Sequence, residues 1–211
     1  MLSELVFGSR KIGDGHPTLI IAEVGSNHDM KLDQALRLIE LAAQSGADAV
    51  KFQTFRAAAH YSRRAPGFSY LGDQDTYSLI ASLELDRHWH ESLQAEARNQ
   101  GVEFFSSPCD IEAVQDLHAL DVPGFKLASF DLPDLTLVRA MAQTGSPLIF
   151  STGLASWDDI QRAVDTARSE GNEDIVLLQC TSLYPAPLRL ANLHRVLQIA
   201  DRGDGARRHP Y

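Results

Sequence analysis

The sequence predicts an α/β fold, a (β/α)₈ barrel that stops after about six βα units. Three observations point there. Short, almost continuously apolar runs alternate with amphipathic helical stretches, as parallel strands covered on both faces should. Every run ends in polar side chains. Beyond residue 200 the chain reads DRGDGARRHPY, which contains no strand candidate.

Taken in order, residues 1–17 read as an N-terminal extension to an incomplete barrel domain spanning 18–200. TLIIAEV (18–24) is the first strand. A helix follows over 31–44, where Leu32, Ala35, Leu36, Ile39 and Ala43 recur at three- and four-residue spacing. ADAVKFQ (47–53) is the second strand. The connection from Thr54 to Leu85, containing AAAHYSRRAPGFSYLGDQDTYSL, is too long to be a plain turn. It reads either as a lid or binding loop, or as a surface excursion packed by its own aromatics. A helix from Asp86 to Gln100 with Asp86 as its cap precedes the strand VEFFS (102–106). The remaining pairs are a helix at 111–120 with GFKLAS (124–129), one at 134–143 with PLIFS (147–151), and one at 156–169 with DIVLLQC (174–180). A last helical piece covers 191–200. Gly46, Gly101, Gly124, Gly145 and Gly171 precede strands, where helix stops are expected.

A doubly wound sheet and a barrel both fit this alternation, and the strand ends separate them. Strand by strand these ends carry Glu23; Lys51 and Gln53; Ser106 and Ser107; Lys126 and Ser129; Ser151 and Thr152; Gln179 and Thr181. A doubly wound sheet gathers its chemistry at one crevice and leaves some ends dull, whereas a barrel surrounds one site with all of them. The barrel reading meets one difficulty, because a complete barrel has eight units and about 250 residues.

Composition narrows the function classes. A formal charge of −9 without a basic stripe argues against a nucleic-acid partner. Two cysteines, Cys109 and Cys180, are too few for a disulfide framework or a closed cysteine zinc site. With no leader pattern and no apolar run of membrane-spanning length, the chain reads as a cytoplasmic protein with no membrane partner.

Lys51 and Lys126, each at the end of an apolar strand, are the strongest chemical signal. Two ammonium groups aimed at one cavity repel unless an anion lies between them, and a phosphate or carboxylate would satisfy both. Ser106, Ser107, Ser129, Ser151 and Thr152 suit the remaining oxygens, and STG (151–153) is a small-residue turn whose amides could meet an oxyanion. No HxH, HExxH or Cys/His cluster marks a metal site. His28, His88, His90, His118 and His194 read as packed or solvated imidazoles, and no nucleophile elbow supports a serine triad.

The segments IAEVGSNH, GADAVKFQTF, FFSSPCD, FKLAS, STG and LLQCTSLYPAP, in that order, resemble the N-acetylneuraminate (sialic acid) synthase family over about residues 18–200. The resemblance implies a TIM barrel that joins phosphoenolpyruvate to the open-chain aldehyde of an N-acetylated hexosamine, N-acetylmannosamine or a relative. The product is a nonulosonic acid, phosphate is released, and manganese or magnesium is bound. It implies catalytic roles for Glu23, Lys51 and Lys126, with Glu23 near the reacting carbons and the lysines on phosphoenolpyruvate. It also implies substrate-binding roles for Gln53 on the sugar, for Ser129 and Ser151 on phosphoenolpyruvate, and for Ser107, Asp131, Ser182 and Tyr184. Ser107 stands where threonine is usual, Asp131 where glutamate is usual, and Ser182 where some members have asparagine.

The departures concern the end of the chain. The family's two metal-binding histidines lie in segments resembling SDHT and EKHF, which are absent from this sequence, as is its antifreeze-like C-terminal domain. Residues 201–211 read as a non-homologous polar tail. The expectation is therefore a chain that binds metal poorly and is inactive alone, with a homodimer or a completing chain as its partner. The alternative is a truncated remnant, or a binding module for phosphorylated acids.

Overall fold

The computed structural model describes residues 4–64 and 75–202. They divide into a first unit, Ile20–Val122, and a second that joins Met1–Leu19 to Pro123–Tyr211. No helix among the described residues is long and apolar enough to cross a membrane.

The N-terminal stretch has structure of its own. It forms an antiparallel hairpin of β1 (Leu5–Phe7) and β2 (Arg10–Ile12), with Leu5 opposite Ile12 and Phe7 opposite Arg10. Leu5 and Phe7 are fully buried. Three-residue strands are too short for alternation to register in sequence, which is why no period is visible there.

The first unit carries β3 (Ile21–Gly25), β4 (Ala49–Thr54) and β5 (Glu103–Pro108), all parallel, with β4 paired to both others. Helix α1 (Leu32–Gln44) buries Ala35 and Ile39, two of the residues whose spacing predicts it. The long connection is not structureless: it holds α2 (Ala57–His60) and α3 (Thr76–Ala81), the latter capped by Asp75, which accepts from Ser78 N at 2.9 Å. Its segment 65–74 lies outside the described residues, and with it much of the aromatic texture behind the lid and surface readings. Asp86 does cap, accepting from His88 N at 3.0 Å. What it caps is a 3₁₀ turn (Arg87–Trp89), and α4 begins only at His90 and runs to Gln100. Helix α5 (Ile111–Ala119) follows β5 and is capped by Asp110.

The second unit repeats the scheme with β6 (Phe125–Leu127), β7 (Leu148–Ser151) and β8 (Ile175–Leu178), parallel and with β7 paired to both others. Helices α6 (Leu135–Ala142), α7 (Trp157–Ser169) and α8 (His194–Arg202) complete it. Asp201 and Arg202 thus belong to α8 and not to a separate tail, and residues 203–211 lie outside the described residues.

Four of the five pre-strand glycines sit at positive φ after a helix, as helix stops should. Gly124 does not. A Cβ there would lie 2.6 Å from Phe7 Cε2 and 2.7 Å from the Pro147 carbonyl, so this glycine lets the hairpin's phenylalanine pack onto β6.

Burial along β4 separates two faces: Phe52 and Thr54 are enclosed, whereas Lys51 and Gln53 are only partly so. On the enclosed face Thr54 Oγ1 hydrogen-bonds His90 Nε2 at 3.0 Å and Ser106 Oγ at 2.8 Å. Ser106 is therefore committed to the core and is not one of the site hydroxyls. Burial pushes the His90 pKa from 6.5 down to about 4; Arg87 adds to this, while Asp116 and Asp86 oppose it.

A pH dependence follows from that imidazole. Between pH 6.5 and about 4 the unfolded chain binds the proton and the folded chain does not. Stability is thus unaffected by this group above pH 6.5 and declines as pH falls through the window, by on the order of 3 kcal/mol at most. Urea unfolding from pH 7 to 4.5 should show that loss in the wild type and a flatter profile in His90→Gln. Parallel profiles would contradict the assignment.

Candidate active site

In the first unit, adjacent strands place four polar side chains in contact. Glu23 of β3 stands opposite Lys51 of β4, and Gln53 stands opposite Ser107 of β5. Lys51 Nζ lies 2.6 Å from Glu23 Oε2 and donates to Ser107 Oγ at 3.1 Å, while Gln53 Nε2 donates to Glu23 Oε1 at 3.1 Å. The lysine side chain is 11% exposed and the glutamate 47%. The pair is thus open to water on its acidic side, and its net worth is about 0–1 kcal/mol. Its value is positional: the carboxylate and the hydroxyl fix an ammonium at a strand end.

Gly25 makes that arrangement fit. The β3–β4 register shifts between Glu23 and Gly25, and Gly25 adopts φ +56°. A Cβ there would lie 3.1 Å from Glu23 Oε1 and 3.5 Å from Gln53 Nε2. The glycine therefore meets both demands, a left-handed backbone and space for the carboxylate. His28, in the same segment, is wholly buried, stacked on Phe52 and edge-on to Trp89. Its Nδ1 accepts from Met30 N at 3.1 Å, and burial lowers its pKa against the opposing charge of Asp29. It is a core imidazole that shapes the turn after β3.

The second unit brings together a different set. Lys126 is 9% exposed, and its Nζ donates to Ser151 Oγ at 2.5 Å and to the Leu127 carbonyl at 3.0 Å. Ser151 Oγ also accepts from Cys180 Sγ at 3.2 Å. Ser129 Oγ accepts from Gly153 N at 3.1 Å, so the STG turn uses one amide to hold a neighbouring serine. Thr152 is fully buried and donates its hydroxyl to the Leu178 carbonyl at 2.9 Å, which removes it from the site set. Gly153 is closely walled: a Cβ would come within 2.4 Å of Ser182 Oγ and 3.0 Å of the Cys180 carbonyl.

The other expected residues are less gathered. Asp131 is buried, and its backbone forms the turn into α6 through Asp131 N to Ala128 O at 3.1 Å and Asp134 N to Asp131 O at 2.9 Å. Tyr184 is 95% exposed, just ahead of a cis bond to Pro185. Gln179 and Thr181 turn toward the segment before α8, Gln179 Nε2 donating to Ala191 O at 3.2 Å and Thr181 Oγ1 to Leu190 O at 3.1 Å. Gly25, Gly153 and Cys180 are the site-shaping residues that strand-end reasoning does not single out; all three sit inside the motifs that carry the family resemblance.

In the first unit the ligand atoms of His60 and Cys109 lie within 4.8 Å of one another, a nitrogen and a sulfur of the kind that can take part in holding an ion.

The pattern that defines the NeuB family matches residues 38–206, and the chain belongs to that family. It is 38% identical over 194 residues to the spore coat polysaccharide biosynthesis protein SpsE of Bacillus subtilis, covering 91% of this chain and 52% of that protein. It is 37% identical to the N,N'-diacetyllegionaminic acid synthase of Campylobacter jejuni, over 87% of this chain and 57% of that one. Among solved structures, an N-acetylneuraminic acid (sialic acid) synthetase from Leptospira borgpetersenii, in complex with citrate, superposes with a TM-score of 0.84 at 30% identity. That match covers 96% of this chain and 67% of the other, and it shows the (β/α)-barrel fold class. The chain spans about half the length of the curated relatives it matches.

The tight wall at Gly153 gives a stability prediction. Its Cβ would strike the Cys180 backbone as well as a movable serine hydroxyl. Gly153→Ala should therefore cost about 1–3 kcal/mol, the range for overpacking a closed site, measured by urea unfolding. A loss below about 0.5 kcal/mol, the range of a surface change, would show that the turn and the segment that follows β8 are not in contact.

Proposed function

We propose that this chain holds phosphoenolpyruvate for condensation with the open-chain aldehyde of an N-acetylated hexosamine, giving a nonulosonic acid and free phosphate. Family membership supports the reaction class, and a relative named as a legionaminic acid synthase supports the product class. The observation that carries the reading is the repeated device at two strand ends, where a largely buried lysine is held by a serine hydroxyl: Lys51 with Ser107, and Lys126 with Ser151. Paired ammonium and hydroxyl donors are what phosphate and carboxylate oxygens require.

In this reading Lys51 and Lys126 each bind a charged group of phosphoenolpyruvate, assisted by Ser107, Ser129 and Ser151. Glu23 works beside the reacting carbons. Gln53 contacts the sugar, and Asp131, Ser182 and Tyr184 are further substrate contacts. Carbon–carbon bond formation joins the methylene of phosphoenolpyruvate to the aldehyde carbon, and water adds at the enol carbon as phosphate departs. A divalent metal, manganese or magnesium, is the cofactor expected from the family.

A second reading takes the same lysine–serine pairs as a holder for small phosphorylated acids that are not turned over. Phosphate release from phosphoenolpyruvate with N-acetylmannosamine and manganese separates the two. Both readings require saturable phosphoenolpyruvate binding in calorimetric titration. Lys51→Ala and Lys126→Ala should each lose about 1.5–3 kcal/mol of it, typical for a hydrogen bond to a charged group. Equal affinity in the wild type and both variants would overturn the anion-holding role.

A further inference from the structure

The hydrogen bonds around Ser151 assign every lone pair and leave one proton over. A serine hydroxyl has two acceptor lone pairs and one donor proton. Ser151 Oγ accepts from Lys126 Nζ at 2.5 Å and from Cys180 Sγ at 3.2 Å, so both lone pairs are taken. The thiol has a second acceptor within reach, the Leu178 carbonyl at 3.6 Å. That carbonyl already accepts from Thr152 N at 3.2 Å and from Thr152 Oγ1 at 2.9 Å. With two donors already on it and the longer contact, 3.6 Å against 3.2 Å, that carbonyl is the poorer acceptor, and the thiol proton goes to Ser151. The hydroxyl of Ser151 must then donate outward, away from both lysine and thiol.

We propose that Cys180 is a positioning residue that holds Ser151 Oγ as an acceptor and so presents the serine proton to an anionic oxygen of the bound acid. This rests on the reading of Lys126 and Ser151 as an anion-binding pair, and it adds how the serine is kept in its donor state. Were the thiol unable to donate, Ser151 could turn its proton onto the sulfur and be lost to the ligand. Thr152 takes part by saturating Leu178 O, which explains why a threonine at the end of β7 is buried and not aimed at the site. Gly153 permits the contact, since a Cβ there would lie 3.1 Å from Cys180 Cβ.

The test uses the full chain with phosphoenolpyruvate as the probe. Cys180→Ala should weaken calorimetric binding about three- to tenfold, the loss of one net hydrogen bond, and Cys180→Ser, which restores a donor, should recover most of it. In a Ser151→Ala background, Cys180→Ala should have no further effect, because its influence passes through that hydroxyl. On the wild type, phosphoenolpyruvate should slow alkylation of Cys180 by iodoacetamide several-fold, followed by peptide mass spectrometry so that Cys109 is read separately; this arm needs no variant to fold. If Lys126→Ala abolishes binding while Cys180→Ala matches the wild type and alkylation is unprotected, the positioning role is wrong and the anion site stands. If the wild type does not bind phosphoenolpyruvate, both fall together. Equal weakening by Cys180→Ala with and without Ser151 would also overturn it, since the cysteine would then act only through packing.

Discussion

Placing an ammonium group at the end of a buried strand is the constraint from which the rest of the site follows. A buried cation is costly unless it is paired or hydrogen-bonded. The structure meets this twice with different chemistry. Lys51 is held by a carboxylate and a hydroxyl from the strands on either side, Glu23 and Ser107. Lys126 leans on Ser151 and on the carbonyl of Leu127. Each solution recruits further residues. Glu23 needs Gly25 so that its carboxylate can reach Gln53 and Lys51 without meeting a Cβ. Ser151 needs Cys180 and Thr152 to settle where its proton points.

Strand periodicity makes this economical. One face of β4 carries Lys51 and Gln53, while the other carries Phe52 and Thr54 into the core, where Thr54 ties Ser106 and the neutral His90 together. At β5 the same alternation sends Ser107 toward Lys51 and Ser106 into that buried network. At the end of β7, Ser151 meets Lys126 while Thr152 locks onto β8. Neighbouring hydroxyls with the same chemistry therefore have different partners, one a lysine at a strand end and the other the packed interior.

That alternation explains what was legible in the sequence. The βα order, the six strands and the lysines are readable because each strand is a nearly continuous apolar run ending in polar side chains. Ser106 and Ser107, or Ser151 and Thr152, are adjacent and look equivalent until register assigns their faces. The N-terminal hairpin is hidden because its strands are three residues long and its anchor, the space beside Gly124 that admits Phe7, is distant in sequence. Gly124 itself reads as a helix stop like its four counterparts, since sequence does not distinguish a glycine chosen for φ from one chosen for room. Cys180 is visible only as a thiol in an apolar run, and its role depends on which carbonyl beside it is already saturated.

A crystal of the chain soaked with phosphoenolpyruvate tests the central claim most directly. The account predicts difference density for a phosphate or carboxylate group within hydrogen-bonding distance of both Lys126 Nζ and Ser151 Oγ, with Cys180 Sγ still on the far side of that hydroxyl. Density bound elsewhere on the chain, with Lys126 and Ser151 contacting only each other and their protein neighbours, would contradict it.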